Sequence, residues 1–310
     1  MGQARQSQPS GGEMSKTRIS STQRKTKRSP EQLAVKEVVR FLGLSLSGGK
    51  ADKACLAVLE YYPKHGKVFL TKIFEKVKND EVISADLKIH EFVEQYKGNV
   101  ESLAIDVPAQ TPQCMRCELK CPGFENCSEP HIQWMWDYFK RRNKKKKPRK
   151  IFTPYTQRCI EMYLADELEE PFIVGHAMGA NTAPLLARAH FLLRRLNKVS
   201  VVEVNPQVSL WRIGQSLKVM KSHLRFHRHS VSGAASRKAI LEALNENSLA
   251  FLYQADMKLM IENNHAFESF ICAYTAFLKY KNVTEKRPKN FPKSEDWIEI
   301  PEQNIQWKDL

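Results

Sequence analysis

The chain has 310 residues, 42% of them hydrophobic, and a formal net charge of +15. That is enough apolar material for one large domain or two small ones, and no stretch reaches the roughly 18 apolar residues that span a bilayer. The N-terminal stretch is polar and basic without an apolar h-region, so no secretory signal is read there and a cytoplasmic, non-membrane protein is expected.

Residues 1–36 are expected to form a disordered basic tail, because so few apolar residues cannot offset the entropy of ordering. Residues 1–30 hold seven Lys/Arg against one acid, Glu13, and residues 140–150 hold nine against none. These two segments account for the whole net charge. Basic runs of this kind suit phosphate backbones, which makes nucleic acid the expected partner. The plainer reading is a solvated tail and a solubilising loop.

Three extended segments come next, Val38–Leu46, Cys55–Tyr62 and Lys67–Val77, with Gly-containing turns between them, which predicts an antiparallel meander. Ser84 is placed to cap a helix over Ala85–Tyr96 that Gly98 ends. Ser102–Val107 is a short apolar run closed by an acid and Pro108, as a buried central strand would be. The pattern then breaks over residues 108–150, a Cys-rich and Lys-rich insert with a helix predicted at Ile132–Arg141. Helices are predicted at Tyr155–Leu164, Ala180–Leu196, Ser209–Leu217, Ser236–Asn245 and Ala266–Tyr280. Lys198–Val204 reads as a second buried strand and Trp297–Pro301 as a closing strand. The order β-β-β-α-β, then helices, then β-α is that of the RNase H-like fold. The expected class is therefore α/β, a mixed sheet with flanking helices and a cysteine-rich insert, in a domain spanning residues 37–310.

Acids inside apolar runs are costly unless paired or bound to a cation. Asp106 closes one buried run, Glu203 lies in the other, and Glu268 is the lone acid in the apolar helix beginning near Ala266. Carboxylates gathered at strand ends can hold two divalent metals for an in-line phosphoryl displacement, and hard cations such as Mg²⁺ favour such oxygen ligands. The competing reading is that each acid faces solvent or serves a helix terminus. Gln157, Arg158 and Glu161 form a polar face at helical spacing, and Arg158 has the fork to grip a phosphate. His176 and Asn181 flank Gly179 ahead of a helix, where backbone N–H groups can meet an anion. Local capping and surface pairing are the alternative for all five.

Several segments resemble the domain of unknown function 429 family of predicted RNase H-like nucleases. They are Phe41–Leu46, Ile105–Pro108, Pro154–Arg158, Val202–Pro206, Phe267–Ala276 and Trp297–Pro301, and the resemblance covers roughly residues 39–301. It implies a catalytic, metal-binding acid on the first strand, one after the Ile105-Asp106-Val107-Pro108 run, one in the Val202–Pro206 run and one opening the late helix. Asp106 and Glu203 match. Glu268 stands where the helix usually carries Asp. Ser45 stands at the first-strand position of the catalytic set, where an Asp is expected, and supplies no carboxylate. The function so implied is a nuclease dependent on Mg²⁺ or Mn²⁺, with Asp106, Glu203 and Glu268 as ligands. The alternative is a catalytically inactive nucleic-acid-binding or protein-interaction module on the same scaffold.

Cys114, Cys117, Cys121 and Cys127 offer four thiolates within fourteen residues. Tetrahedral Zn²⁺ in a structural role is the expected occupant, with an iron–sulfur cluster or free thiols as alternatives. Trp134, Trp136, Tyr138 and Phe139 stand near the run Lys144, Lys145, Lys146 and Lys147. That juxtaposition would let bases stack beside a phosphate-binding loop, unless the aromatics are core.

Overall fold

Near-continuous burial marks the first and second strands as the interior of the sheet. In β1 (Val39–Leu46) every residue but Arg40 is buried, and in β2 (Ala54–Tyr62) every residue but Tyr62. The computed structural model describes residues 37–47, 53–142, 152–167, 174–196 and 199–310. The chain divides into two units, Met1–Val35 and Lys36–Leu310, and the sheet and its helices belong to the second. The basic tail and Lys144–Lys147 lie outside the described residues.

β1 pairs antiparallel with β2, and β2 with β3 (Lys67–Val77). The helix α1 (Ala85–Tyr96) begins at Ser84, whose side chain accepts from the Leu87 N–H, and leads into β4 (Val100–Ile105). β4 pairs parallel with β1 and then with the short β5 (Val201–Glu203). The sheet order is β3-β2-β1-β4-β5, a mixed sheet in an α/β chain. Side chains alternate across it. Leu42, Leu44 and Leu56 pack on one face with Ile89 and Val93 of α1 and with Leu192 of α4 (Ala183–Leu193). Phe41, Ala57 and Leu59 pack on the other with Phe270, Ala273 and Phe277 of α9 (Asn264–Tyr280). There Gly43 lets α9 lie directly on β1. A Cβ at Gly43 would overlap the Ser269 carbonyl oxygen and the Ala273 backbone nitrogen.

The remaining described helices are α2 (Pro130–Arg142), α3 (Cys159–Glu167), α5 (Pro206–Ser216), α6 (Lys221–Phe226), α7 (Gly233–Glu246) and α8 (Gln254–Glu262). None is long and apolar enough to cross a membrane. Several sequence expectations need correction. The Trp297–Pro301 segment is not a strand; Glu299 makes an isolated bridge to Val204 and Pro301 one to Thr284, while Ile298 and Ile300 pack into the core. α3 starts at Cys159 rather than Tyr155, because Thr153–Thr156 form a turn in which the two hydroxyls meet at 2.6 Å. For the aromatic residues of α2 the structure bears out the core reading and not base stacking. Trp134 is buried against Tyr138 and Phe291, and Trp136 lies against Phe124 and Phe152 while its Nε1 donates to the Phe124 carbonyl at 3.1 Å.

Candidate metal and anion site

The parallel strands β1 and β4 end side by side, and hydrogen bonds fix the course of the chain just beyond them. The Asp106 N–H donates to the Leu44 carbonyl at 3.2 Å, and Asp106 Oδ1 accepts from the Leu46 N–H at 3.0 Å. The carboxyl group is thereby pinned to the end of β1, beside Ser45. Asn263 caps α9 by accepting from the N–H groups of His265 and Ala266. This starts the helix so that His265 and Glu268, three residues apart, project from one face toward the strand ends. Ligand atoms of Asp106, His265 and Glu268 lie within 4.8 Å of one another, the only such grouping of acids, histidines or cysteines among the described residues. They line a cavity of about 510 Å³ that Glu203, Arg158 and Arg228 also line.

Ser45 is fully buried and sits between two of these groups. Its Oγ is 3.0 Å from His265 Nδ1, and it hydrogen-bonds the Asp106 carboxyl. When Asp106 is ionised it only accepts, so the Ser45 hydroxyl would then donate to it and accept from a His265 Nδ1–H. That tautomer would leave the Nε2 lone pair free for a ligand. A serine at this position supplies no charge but orients two groups that can bind one.

The carboxylates differ in environment. Burial, then the nearby Glu268 charge, raise the Asp106 pKa to about 7. Burial also works against the Glu268 charge, but Arg228 and a hydrogen bond from His227 Nε2 at 3.2 Å more than offset it and hold the pKa at about 2. Glu203 is gripped by Arg158, Nη1 to Oε2 at 2.9 Å and Nη2 to Oε1 at 2.6 Å, and also accepts from the Ala109 N–H at 2.8 Å. Arg158 Nε reaches Glu161 at 2.8 Å. Burial disfavours the Arg158 charge, and the two glutamates outweigh that and raise its pKa.

All three acids singled out in the sequence therefore line one cavity, in two different states. Asp106 and Glu268 gather with a histidine, whereas both oxygens of Glu203 are held by an arginine. Arg158 makes a fork contact, as its chemistry suggests, but to Glu203 instead of a phosphate. Glu161 and Asn181 also line the cavity, while His176 bonds Thr156 through Nδ1. Sequence reasoning misses His265, His227 and Arg228. The spacing of His265 and Glu268 within one apolar helix is the signal for the first; the other two lie in the basic run Lys221–His229, which reads as surface.

A family model described as "Protein of unknown function (DUF429)" matches residues 82–290. The chain belongs to this family. The matched span includes Asp106, Glu203 and Glu268 and begins after β3, so Ser45 lies outside it. No curated protein and no solved structure matches. In this DUF429 member the donor set of Asp106, Glu268 and His265 fits a single divalent cation. Mixed oxygen and imidazole ligands suit Mn²⁺ better than Mg²⁺, whose preference is for oxygen alone. A second cation would need a carboxylate at position 45 or the release of Glu203 from Arg158.

Proposed function

We propose that this protein is an RNase H-like nuclease that uses one divalent cation, held by Asp106, Glu268 and His265, to act on a nucleic acid phosphodiester. The carrying observation is the convergence of those three ligand groups at the ends of β1 and β4 under the first turns of α9. The sheet order β3-β2-β1-β4-β5, with β2 antiparallel to both its neighbours, supports the fold assignment. The basic tail and the Lys144–Lys147 run support a polyanionic partner. A cation bound there would act as a Lewis acid on a phosphoryl oxygen and lower the pKa of a coordinated water. The chain's own groups orient and move protons around it. Ser45, 3.0 Å from His265 Nδ1, orients the imidazole and, beside an ionised Asp106, would favour the Nδ1–H tautomer. Asp106, whose pKa is raised to about 7 in the metal-free protein by burial and the Glu268 charge, gives up its proton when the cation binds. Arg228, half exposed beside Glu268, offers its remaining N–H groups to a phosphate.

Ser45 and the two arginine–glutamate pairs favour a second reading, a scaffold that grips nucleic acid without cutting it. Cleavage assays on single- and double-stranded DNA and RNA with Mn²⁺ and Mg²⁺ separate the two. Cutting that Asp106→Asn abolishes is the expected result. An inert wild type whose Ser45→Asp variant cuts would establish the second reading. Absence of both cutting and Mn²⁺ binding, together with nucleic-acid affinity indifferent to salt, would sink both.

A further inference from the structure

Between β4 and α2, residues 108–129 form almost no regular structure, only a short 3₁₀ turn at Gln113–Met115. A segment with so few backbone bonds needs another source of order. Part of it comes from α2. Gln133 Nε2 donates to the Cys127 carbonyl at 2.5 Å, and Phe124 stacks on Trp136. Its four cysteines form no disulfide among the described residues and line a second cavity of about 210 Å³. His131, in the first turn of α2, lines the same cavity.

This histidine is 2% exposed. Its Nδ1 has no partner among the described residues, and its Nε2 points at Cys114 Sγ, 3.5 Å away. Ligands about 2.3 Å (sulfur) and about 2.0–2.1 Å (nitrogen) from a tetrahedral zinc ion lie roughly 3.5 Å apart. The Cys114–His131 separation is thus already that of two ligands on one ion. Cys117, Cys121 and Cys127 line the cavity together with Cys114 and His131. Cys114-x2-Cys117 has the usual spacing of a zinc pair, and Cys127-x3-His131 places the second pair at the loop-to-helix junction.

We propose that Cys114, Cys117, Cys127 and His131 bind a structural zinc ion that fastens the insert to the start of α2, and that Cys121 is not a ligand. With four protein ligands such a site would be closed. In the metal-free structure Cys114 and His131 stand at ligand spacing and no third of these groups lies within 4.8 Å of both, so the ion would draw the loop in. Because the site shares no lining residue with the Asp106 cavity, it does not depend on the nuclease reading. The test uses full-length protein purified without chelator. Elemental analysis should find stoichiometric zinc. Alkylation followed by mass spectrometry should modify Cys121 readily and Cys117 only after a zinc chelator is added, although both are exposed. Cys121→Ser should keep its zinc. His131→Asn should lose it, and the ligand-field bands of the Co²⁺-substituted wild type should indicate three sulfurs and one nitrogen. Stoichiometric iron, no metal, or equal alkylation of Cys117 and Cys121 before and after chelation would overturn the proposal. So would a Cys121→Ser variant that loses zinc while His131→Asn retains it, since that marks a four-cysteine site. The alkylation readout needs no variant, so a misfolded mutant cannot mask the answer.

Discussion

The two sides of the large cavity hold the same pair of residue types in different ways. On one side Arg158, with a side chain 5% exposed, meets both oxygens of Glu203 and also reaches Glu161. On the other, Arg228, 51% exposed, approaches a single oxygen of Glu268, which is itself buried. The first pair is locked, because every polar group involved would be stranded if it opened. The second is a charge pair whose arginine can exchange into water, leaving Glu268 to a cation. The contrast suggests that one carboxylate is structural and the other is available, although the two acids look alike in sequence.

Breaking the locked side should have the largest effect. Arg158→Met leaves Glu203 and Glu161 without their counter-charge in a buried setting. The expected loss of stability is about 3–5 kcal/mol, read from urea or guanidinium unfolding. Glu203→Gln added to Arg158→Met should recover part of that loss, as a coupled pair requires. A cost below about 1 kcal/mol for Arg158→Met would mean that the pair is not locked.

The available side has a pH signature centred on Asp106. Its folded pKa of about 7 lies above the ordinary carboxylate value of 3.8. Between those values the folded chain holds a proton that the unfolded chain has released, so this group's contribution to stability declines as pH rises from about 4 to about 7. Above that window the buried charge is a full penalty. Asp106→Asn removes it and should stabilise the metal-free protein by up to about 3 kcal/mol at pH 8, with little change near pH 4. Unfolding curves at the two pH values check this. A cation reverses the preference, since binding requires the proton to leave, so Mn²⁺ affinity of the wild type should climb with pH through about 7.

Much of this arrangement is legible in the sequence, and the limits have physical causes. β1 to β4 and α1 are legible because apolar runs of strand length and a capping serine act locally. Asp106 and Glu268 are legible because an acid within an apolar run needs a partner. Which partner is not, because an arginine fork fits a carboxylate as well as a phosphate. Arg158 illustrates this, since its contact with Glu203 spans 45 residues. The Trp297–Pro301 run alternates like a strand, yet without a continuous neighbour it makes only isolated bridges. α6 is six residues long and basic, so its pattern cannot be told from a surface loop. His265 and Ser45 become interpretable only once α9 is seen to cross β1 at Gly43.

The smallest stability change should come from Arg228→Met, and it bears most directly on the comparison. Glu268 would lose the main charge that offsets its burial, and its pKa would rise from about 2. The depressed value contributes stability above the ordinary carboxylate pKa of 4.5, and that contribution is lost as pH falls toward 2. At neutral pH the variant should lose only about 1–2 kcal/mol, because a half-exposed arginine is well screened and His227 remains at 3.2 Å. Mn²⁺ affinity should move the other way. With the competing guanidinium gone, titration calorimetry should show binding roughly threefold to tenfold tighter. Arg158→Met offers no such gain, since Glu203 is not among the three groups that gather at the site. Should Arg228→Met weaken Mn²⁺ binding instead, Arg228 holds Glu268 in place for the cation, and the distinction between a locked and an available carboxylate fails.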